Sequence, residues 1–195
     1  CDSATMEVKY TNSWASFDLE KECAEQLIAD GCVLISQHAD TTGAPTACEA
    51  KKVPCVGYNI DMIPTAPDAA LTSATINWGP YYTYAVQSVI EGTAIDTDWS
   101  KGVKDGADAI TELNDKTVAK GTKEKVEEAQ KGIEDGTIHV FDTSKFTVGG
   151  KTLEELVESG DEDATKLQSY IKDGYFHESE YGSAPAFDIA IDGIT

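Results

Sequence analysis

Short apolar runs alternate with amphipathic segments along the first half of the chain. Apolar positions within Ser16–Asp30 recur at helical spacing and predict an amphipathic helix, which Gly31 ends. Further helices are predicted at Ala44–Lys51 and Gly79–Glu91. The predicted strands are Met6–Tyr10, Cys32–Ser36, Val53–Tyr58 and Ala70–Ser73. This alternation predicts an α/β fold with a parallel sheet flanked by helices.

The second half of the chain has a less regular pattern. A strand is predicted at Asp105–Leu113 and a charged helix at Thr122–Asp135, which Gly136 ends. Thr137–Asp142 and Lys145–Val148 are predicted to pair across a short turn. Two short helices are predicted near Leu153–Ser159 and Asp163–Lys172. The remaining tail has no clean period, so no element is predicted there.

Polar and aromatic residues concentrate in the loops that follow the predicted strands. Right-handed crossovers place the carboxyl ends of parallel strands along one edge of a sheet, and ligands of open α/β sheets bind at that edge. The candidate ligand-binding residues in these loops are Trp14, His38, Asp40, Asp61 and Asn77. This clustering is the strongest functional sign in the residues themselves.

Three of these residues each admit two interpretations. Trp14 suits either packing in the core or a flat surface that stacks on an aromatic base. Asp61 suits either a turn or helix cap, or a pair of acceptor oxygens for vicinal hydroxyls. His38 is equally compatible with a structural role and with a ligand contact at the sheet edge.

The charge balance excludes one class of partner. The chain has 35 acidic residues against 15 basic residues, all of them Lys, and a formal net charge of −20. Binding to nucleic acid requires a basic face that displaces counterions from phosphates, which this chain does not supply. Without Arg there is no bidentate clamp for a phosphate or carboxylate. The ligand is therefore expected to be neutral or cationic, or an anion held by backbone amides.

The cysteines, histidines and short motifs do not indicate a metal site, a cofactor or catalysis. The five cysteines are odd in number and contain no C-x-x-C pair, which argues against a disulfide scaffold or a zinc site. His38, His139 and His177 are far apart in the sequence and lack ligand spacing. The G-x-G-x-x-G, H-E-x-x-H and G-x-S-x-G signatures are absent. No metal or cofactor is therefore expected.

Five strings at the predicted sheet edge resemble one known family in their order and spacing. They are Tyr10–Trp14 (YTNSW), Ile35–Asp40 (ISQHAD), Gly57–Met62 (GYNIDM), Leu71–Ser73 (LTS) and Asn77–Tyr82 (NWGPYY). Together they resemble the C-terminal half of the basic membrane protein family of ABC-transporter substrate-binding lipoproteins, whose members include purine-nucleoside receptors. The resemblance covers residues 5–142 well and the tail poorly.

The resemblance implies a type I periplasmic-binding-protein-like fold, in which two α/β lobes close on a ligand. Residues 1–100 are expected to form the second, ligand-binding lobe, and residues 101–195 the crossover and returning C-terminal segments. The N-terminal lobe is expected to be absent from this chain, together with a signal segment and a lipid-bearing Cys. Cys1 is not expected to be that Cys, because the strand predicted from Met6 leaves no flexible tether. An extracytoplasmic location, periplasmic or at the cell surface, with a lipid anchor is expected.

The same resemblance implies the solute-binding component of an ABC importer. Such a component binds a purine nucleoside or related purine between its lobes, delivers it to permease subunits and performs no catalysis. By position, Trp14 matches the aromatic residue that stacks on the purine, and Asp61 matches the acid that binds ribose hydroxyls. Because one lobe supplies only one wall of such a site, this chain alone is expected to expose apolar surface and to self-associate.

Two departures from the family pattern leave the ligand open. Ile76 stands where some members carry a ligand-contacting Lys, and Gln37–Asp40 replaces a Gly-rich loop. A free base or another purine derivative is therefore compatible with the residues. Two further functions are alternatives: an enzyme acting on nucleosides or sugars, with His38 and Asp40 or Asp61 as acid–base groups, and a ligand-sensing regulatory domain on the same fold.

Overall fold

Three parallel strands and one antiparallel strand form the main sheet of the computed structural model, which describes residues 4–177 and 189–194. The strands are β1 (Ile35–Ser36), β2 (Cys55–Tyr58), β3 (Ala70–Ile76) and β4 (Asp108–Ile110), and they neighbour one another in chain order. β1, β2 and β3 are parallel, whereas β4 runs antiparallel to β3. The predicted α/β class is confirmed, with a sheet that is parallel except for β4.

Six α-helices occur in the described residues. They are α1 (Phe17–Ala29), α2 (Gly43–Lys51), α3 (Gly79–Glu91), α4 (Thr122–Glu134), α5 (Leu153–Glu158) and α6 (Glu162–Leu167). Single 3-10 turns lie at Val103–Asp105, Thr143–Lys145 and Gln168–Tyr170. A two-stranded hairpin, β5 (Ile171–Lys172) and β6 (Tyr175–Phe176), completes the set. α1, α2, α3 and α4 begin and end within a residue or two of their predicted bounds.

Two compact units make up the chain. One unit consists of Glu7–Tyr84 and Lys101–Glu128, and contains the main sheet, α1 and α2. The described parts of the remaining chain form the other unit, which contains α5, α6 and the hairpin. All five candidate ligand-binding residues belong to the unit with the main sheet.

Small side chains dominate the core of the sheet-containing unit, where α1 and α2 pack on the strands. The buried cluster comprises Ala24, Ile35, Ala44, Ala47, Cys48, Cys55, Met62, Ala66, Ala69 and Ala70. Alanines at so many core positions let the helices approach closely. Gly43 marks one close approach, because a Cβ at this residue would stand 2.3 Å from the Phe17 backbone oxygen.

Two free cysteines lie side by side in the core. Cys48 on α2 and Cys55 on β2 are 0% and 2% exposed. A hydrogen bond with the Cys55 sulfur and then burial raise the pKa of the Cys48 thiol. Because both sulfurs are shielded from solvent, these two residues serve as small packing groups.

Several predicted elements are wrong or differ in length. The helix predicted near Asp163–Lys172 ends at Leu167, and its last two residues belong to β5 instead. Residues 7–10 are not a strand; Met6 alone forms one bridge, with Ile194, because a strand needs neighbouring backbone partners as well as alternating residues. The predicted pairing of Thr137–Asp142 with Lys145–Val148 is absent; Val148 instead bridges Lys151. The strand predicted at Asp105–Leu113 is confined to the three residues of β4. The tail Tyr175–Thr195, for which no element was predicted, begins with β6, and its residues 178–188 and 195 lie outside the described residues.

Replacing Gly43 with alanine should destabilise the sheet-containing unit. The added Cβ would meet a backbone oxygen of α1, so α1 and α2 would have to separate. Overpacking of this kind costs about 1–3 kcal/mol, which outweighs the gain in helix propensity of about 1 kcal/mol from Gly to Ala. Urea denaturation should show this loss as a lower midpoint with an unchanged m-value.

Gly102→Ala is the matched control for Gly43→Ala. Gly102 has a φ of −125°, and an added Cβ would have no neighbour closer than the Asp108 Oδ2 atom at 3.7 Å. The free energy of unfolding of the Gly102→Ala protein should stay within about 0.5 kcal/mol of the wild-type value. A Gly43→Ala protein as stable as the wild type would show that the two helices do not depend on this contact.

Candidate ligand-binding site

Three candidate residues follow the carboxyl ends of the parallel strands. His38 follows β1, Asp61 follows β2 and Asn77 directly follows β3. Because these strands are parallel, their carboxyl ends meet at one edge of the sheet. The structure therefore brings these three residues to the same edge, in neighbouring loops.

Trp14 lies in the segment before α1, and a backbone hydrogen bond joins this segment to the loop after β1. The Asp40 amide donates to the Trp14 carbonyl oxygen at 3.0 Å. Trp14 is 86% exposed, so its side chain is not packed in the core. A flat aromatic surface thus stands free next to the loop that carries His38 and Asp40.

His38 packs beside Tyr58, the last residue of β2. The two ring centroids are 5.6 Å apart and the ring planes are tilted by 47°. This contact links the loop after β1 to the end of the neighbouring strand. His38 remains exposed, which leaves part of its imidazole open to a ligand.

Asp61 is reached through a sharp turn after β2. Asn59 takes a φ of 72°, a left-handed conformation that Asn tolerates better than most residues. The Asp61 Oδ1 atom then accepts a hydrogen bond from the Ile63 amide at 2.9 Å. No described residue donates to Oδ2, so one oxygen shapes the turn and the other is available.

Asn77 is largely committed to the protein itself. Its Oδ1 atom accepts from the Gly79 amide at 3.1 Å, at the start of α3, and its Nδ2 atom donates to the Gly106 carbonyl at 2.9 Å. Its own backbone amide donates to the Ala107 carbonyl at 2.7 Å. The side chain keeps one amide hydrogen and one lone pair for any further partner.

Gln37 shapes the loop after β1, although it was not among the five candidate ligand-binding residues. It is 8% exposed, and its Nε2 atom donates to the carbonyl oxygens of Ala39 and Thr41, both at 2.9 Å. The loop after β1 therefore curls around the Gln37 amide. The Oε1 atom is buried and accepts no hydrogen bond from the described residues. A polar residue placed directly after a buried strand was the available signal.

The electrostatic character of this edge is acidic. Asp40 and Asp61 are exposed, and no Lys of the described chain forms an ion pair with either. Asp108 on β4 pairs with Ile76, next to Asn77, and partial burial raises the pKa of its carboxyl group. The edge therefore favours a neutral or cationic ligand that donates hydrogen bonds, and repels an anion.

The cavity, metal-ligand and membrane-span criteria add no further site at this edge within the described residues. A cavity of about 250 Å³ lies in the other unit, lined by Glu154, Val157, Glu158, Gln168 and Ile171. Within residues 4–177 and 189–194, no group of His, Cys, Asp and Glu side chains is arranged to hold a metal ion. Over the same residues, every helix is too short or too polar to span a membrane.

Comparison with known proteins decides the family. Residues 2–142 match the Bmp model, described as ABC transporter substrate-binding protein, PnrA-like. The chain belongs to this family. The resemblance seen in the five sheet-edge strings is thereby confirmed over the region where they lie.

Two curated relatives of this Bmp-family chain bear names of binding proteins. A purine-binding protein of Brucella abortus is 30% identical over 136 residues, which are 70% of this chain and 38% of the relative. A protein of Haloferax volcanii with the name of an ABC transporter glucose-binding protein is 28% identical over 144 residues, 73% of this chain and 36% of the relative. The chain therefore spans well under half the length of either relative.

Solved structures share the fold of this Bmp-family chain at low identity. ABC transporter solute-binding proteins from Conexibacter woesei and Aeropyrum pernix align with TM-scores of 0.52 and 0.54, at 18% and 17% identity. They cover 68% and 80% of this chain, which in turn covers 45% and 52% of them. A transcriptional activator of the comK gene from Bacillus halodurans aligns with a TM-score of 0.60 at 17% identity, over 68% of this chain and 47% of its own. These similarities extend to the fold alone.

Proposed function

We propose that this chain carries the ligand-binding part of an extracytoplasmic solute-binding protein for an ABC importer. Its ligand is a purine nucleoside or a related purine, which it hands to permease subunits without chemical change. A lipid anchor outside the sheet-containing unit would hold the protein at the membrane. Membership of the Bmp family and the purine-binding relative from B. abortus support this proposal.

One observation carries the choice of an aromatic ligand: the exposed Trp14 side chain. Large aromatic side chains usually bury 150–250 Å² or so, and leaving one open to water is unfavourable without a partner. Trp14 is 86% exposed and its segment is tied to Asp40 at the sheet edge. A purine ring stacked on this indole would cover it.

The polar groups around Trp14 suit the remainder of a nucleoside. Asp61 has one carboxylate oxygen available, and a carboxylate accepts hydrogen bonds from vicinal hydroxyls. His38 and Asp40 lie in the adjoining loop. The His38 imidazole can donate or accept a hydrogen bond, and the Asp40 carboxylate can accept one. A nucleoside carries no phosphate, so it avoids the repulsion that this acidic edge would impose on a nucleotide.

A sugar is the second candidate ligand. The relative from H. volcanii has the name of a glucose-binding protein, and a pyranose ring can also lie flat on an exposed indole. The same carboxylates could then accept the hydroxyls. The two candidates differ in one respect, because only the purine has an aromatic ring that gains stacking energy on Trp14.

The complete gene product that contains these 195 residues should bind adenosine or guanosine with a Kd of about 1 µM or below, equivalent to roughly −8 kcal/mol. Titration calorimetry with adenosine, guanosine, adenine and glucose would measure this. Chromatography of the nucleoside after prolonged incubation should recover it unchanged. If the protein binds glucose and no purine, the proposed ligand is wrong and a sugar takes its place. If free base or a deaminated product is released, the protein is an enzyme.

A further inference from the structure

Glu20 is a buried carboxylate with an unusual environment. It lies in the first turn of α1 and is 3% exposed. No Lys of the described residues forms an ion pair with it. Glutamate is almost never fully buried unless it is paired, because taking a charge out of water is costly. Its burial therefore requires other compensation.

Hydrogen bonds from two separate segments supply that compensation. The Thr41 hydroxyl donates to Glu20 Oε2 at 2.6 Å, and the Thr41 amide lies 3.2 Å from the same oxygen. The Ser16 amide donates to Oε1 at 3.2 Å. Thr41 precedes α2 by two residues, so the carboxylate also lies at the positive end of the α2 dipole.

Thr41 is the point where this carboxylate meets the ligand-site loop. The Thr41 carbonyl oxygen accepts from Gln37 Nε2 at 2.9 Å, while its hydroxyl oxygen accepts from the Gly43 amide at 3.1 Å. One residue earlier, the Asp40 amide donates to the Trp14 carbonyl. Glu20 thus lies between Ser16, which follows the Trp14 segment, and the loop that carries His38 and Asp40.

We propose that Glu20 is a positioning residue for the ligand site. Its side-chain oxygens hold the segment with Trp14 against the loop with His38 and Asp40, and so fix the stacking surface relative to the polar groups. Glu20 itself touches no ligand. The effect on affinity rests on the proposed function, whereas the coupling of the two segments does not.

The first test compares Glu20→Gln with Glu25→Gln. Glu25 lies on the same helix with 44% of its side chain exposed, 3.8 Å from Lys21 Nζ, so it is a matched control. Hydrogen exchange of the Asp40 amide, measured by NMR without ligand, should accelerate about tenfold in Glu20→Gln, because a charge-assisted hydrogen bond is lost. Purine nucleoside affinity should fall about tenfold as well. Glu25→Gln should change neither quantity.

The second test uses the Thr41 side chain, and guards against a Glu20 variant that does not fold. Thr41→Ser keeps the hydroxyl and should retain wild-type exchange and affinity. Thr41→Val replaces the hydroxyl with a methyl group and should reproduce part of the Glu20→Gln effect. The double variant should lose less affinity than the sum of the two single losses, because both substitutions remove the same hydrogen bond.

The outcomes separate this proposal from the proposed function. Unchanged Asp40 exchange in both Glu20→Gln and Thr41→Val would overturn the positioning role, whatever binds. Altered exchange with unaltered purine affinity would also overturn it. If the wild-type protein binds no purine, the proposed function fails. In that case Asp40 exchange still decides whether Glu20 couples the two segments.

Discussion

Trp14→Ala should weaken purine binding about tenfold to a hundredfold, for nucleosides and free bases alike. Stacking of a base on an aromatic side chain contributes about 1–3 kcal/mol by alanine substitution, which corresponds to this loss of affinity. The effect should be uniform across purines, because every base offers the same kind of flat surface. Trp14 is 86% exposed, so its removal should leave the core and the free energy of unfolding nearly unchanged.

Two variants control this result in the complete gene product. Trp14→Phe retains an aromatic surface and should lose only a minor part of the affinity. Tyr10→Ala removes another aromatic residue, 80% exposed, and should leave affinity unchanged. Calorimetry gives the affinities and circular dichroism checks the fold. If Trp14→Ala binds every purine as tightly as the wild type does, Trp14 is not a stacking residue and the family correspondence fails at its main position.

Asp61→Ala should cost a ribonucleoside about 1.5–3 kcal/mol of binding energy, while the free base loses little. The predicted loss is about tenfold to a hundredfold in Kd for adenosine, and close to none for adenine, which has no hydroxyls. The physical reason is the available Oδ2 atom, since Oδ1 already accepts from the Ile63 amide. Comparing adenosine, 2′-deoxyadenosine and adenine on one variant isolates the hydroxyl contribution.

Asp61→Asn distinguishes the turn from the ligand contact. Its amide oxygen can still accept from the Ile63 amide, so the turn should persist while the charged acceptor is lost. It should therefore lose nucleoside affinity nearly as far as Asp61→Ala does, with less effect on thermal stability. Asp115→Asn, at an exposed position of the same unit, should change neither. Equal losses for adenosine and adenine would mean that Asp61 acts by shaping the loop instead of binding hydroxyls.

These two predictions also bear on the ligand that the sequence leaves open. If the natural ligand is a free base, Asp61→Ala will leave the affinity for that base unchanged, whereas Trp14→Ala will lower it. If the ligand is a sugar, Asp61→Ala will have the larger effect. The pair of variants thus discriminates base, nucleoside and sugar by the relative size of the two losses.

Local patterns in the sequence determined most of the sheet-containing unit. α3 begins at Gly79 and ends at Glu91 as predicted, because helical periodicity and the following Gly92 are local signals. The alternation of helices with apolar runs determined the parallel sheet. Because the carboxyl ends of parallel strands meet at one edge, the sequence alone also predicted that His38, Asp61 and Asn77 lie there. The charge of −20 argues against nucleic acid as a partner, and this stays a prediction.

Tertiary structure decided everything that depended on a distant partner. Residues 7–10 alternate like a strand, yet they find no strand to pair with in the described chain. Glu20 is buried among groups that include Thr41, 21 residues away, which donates to it. The exposure of Trp14 and the backbone contact of its segment with Asp40 likewise became known only from the fold. Hydrogen bonding and burial are pairwise properties of residues far apart in the sequence, so a pattern along one segment predicts the element and only the assembled fold determines its environment.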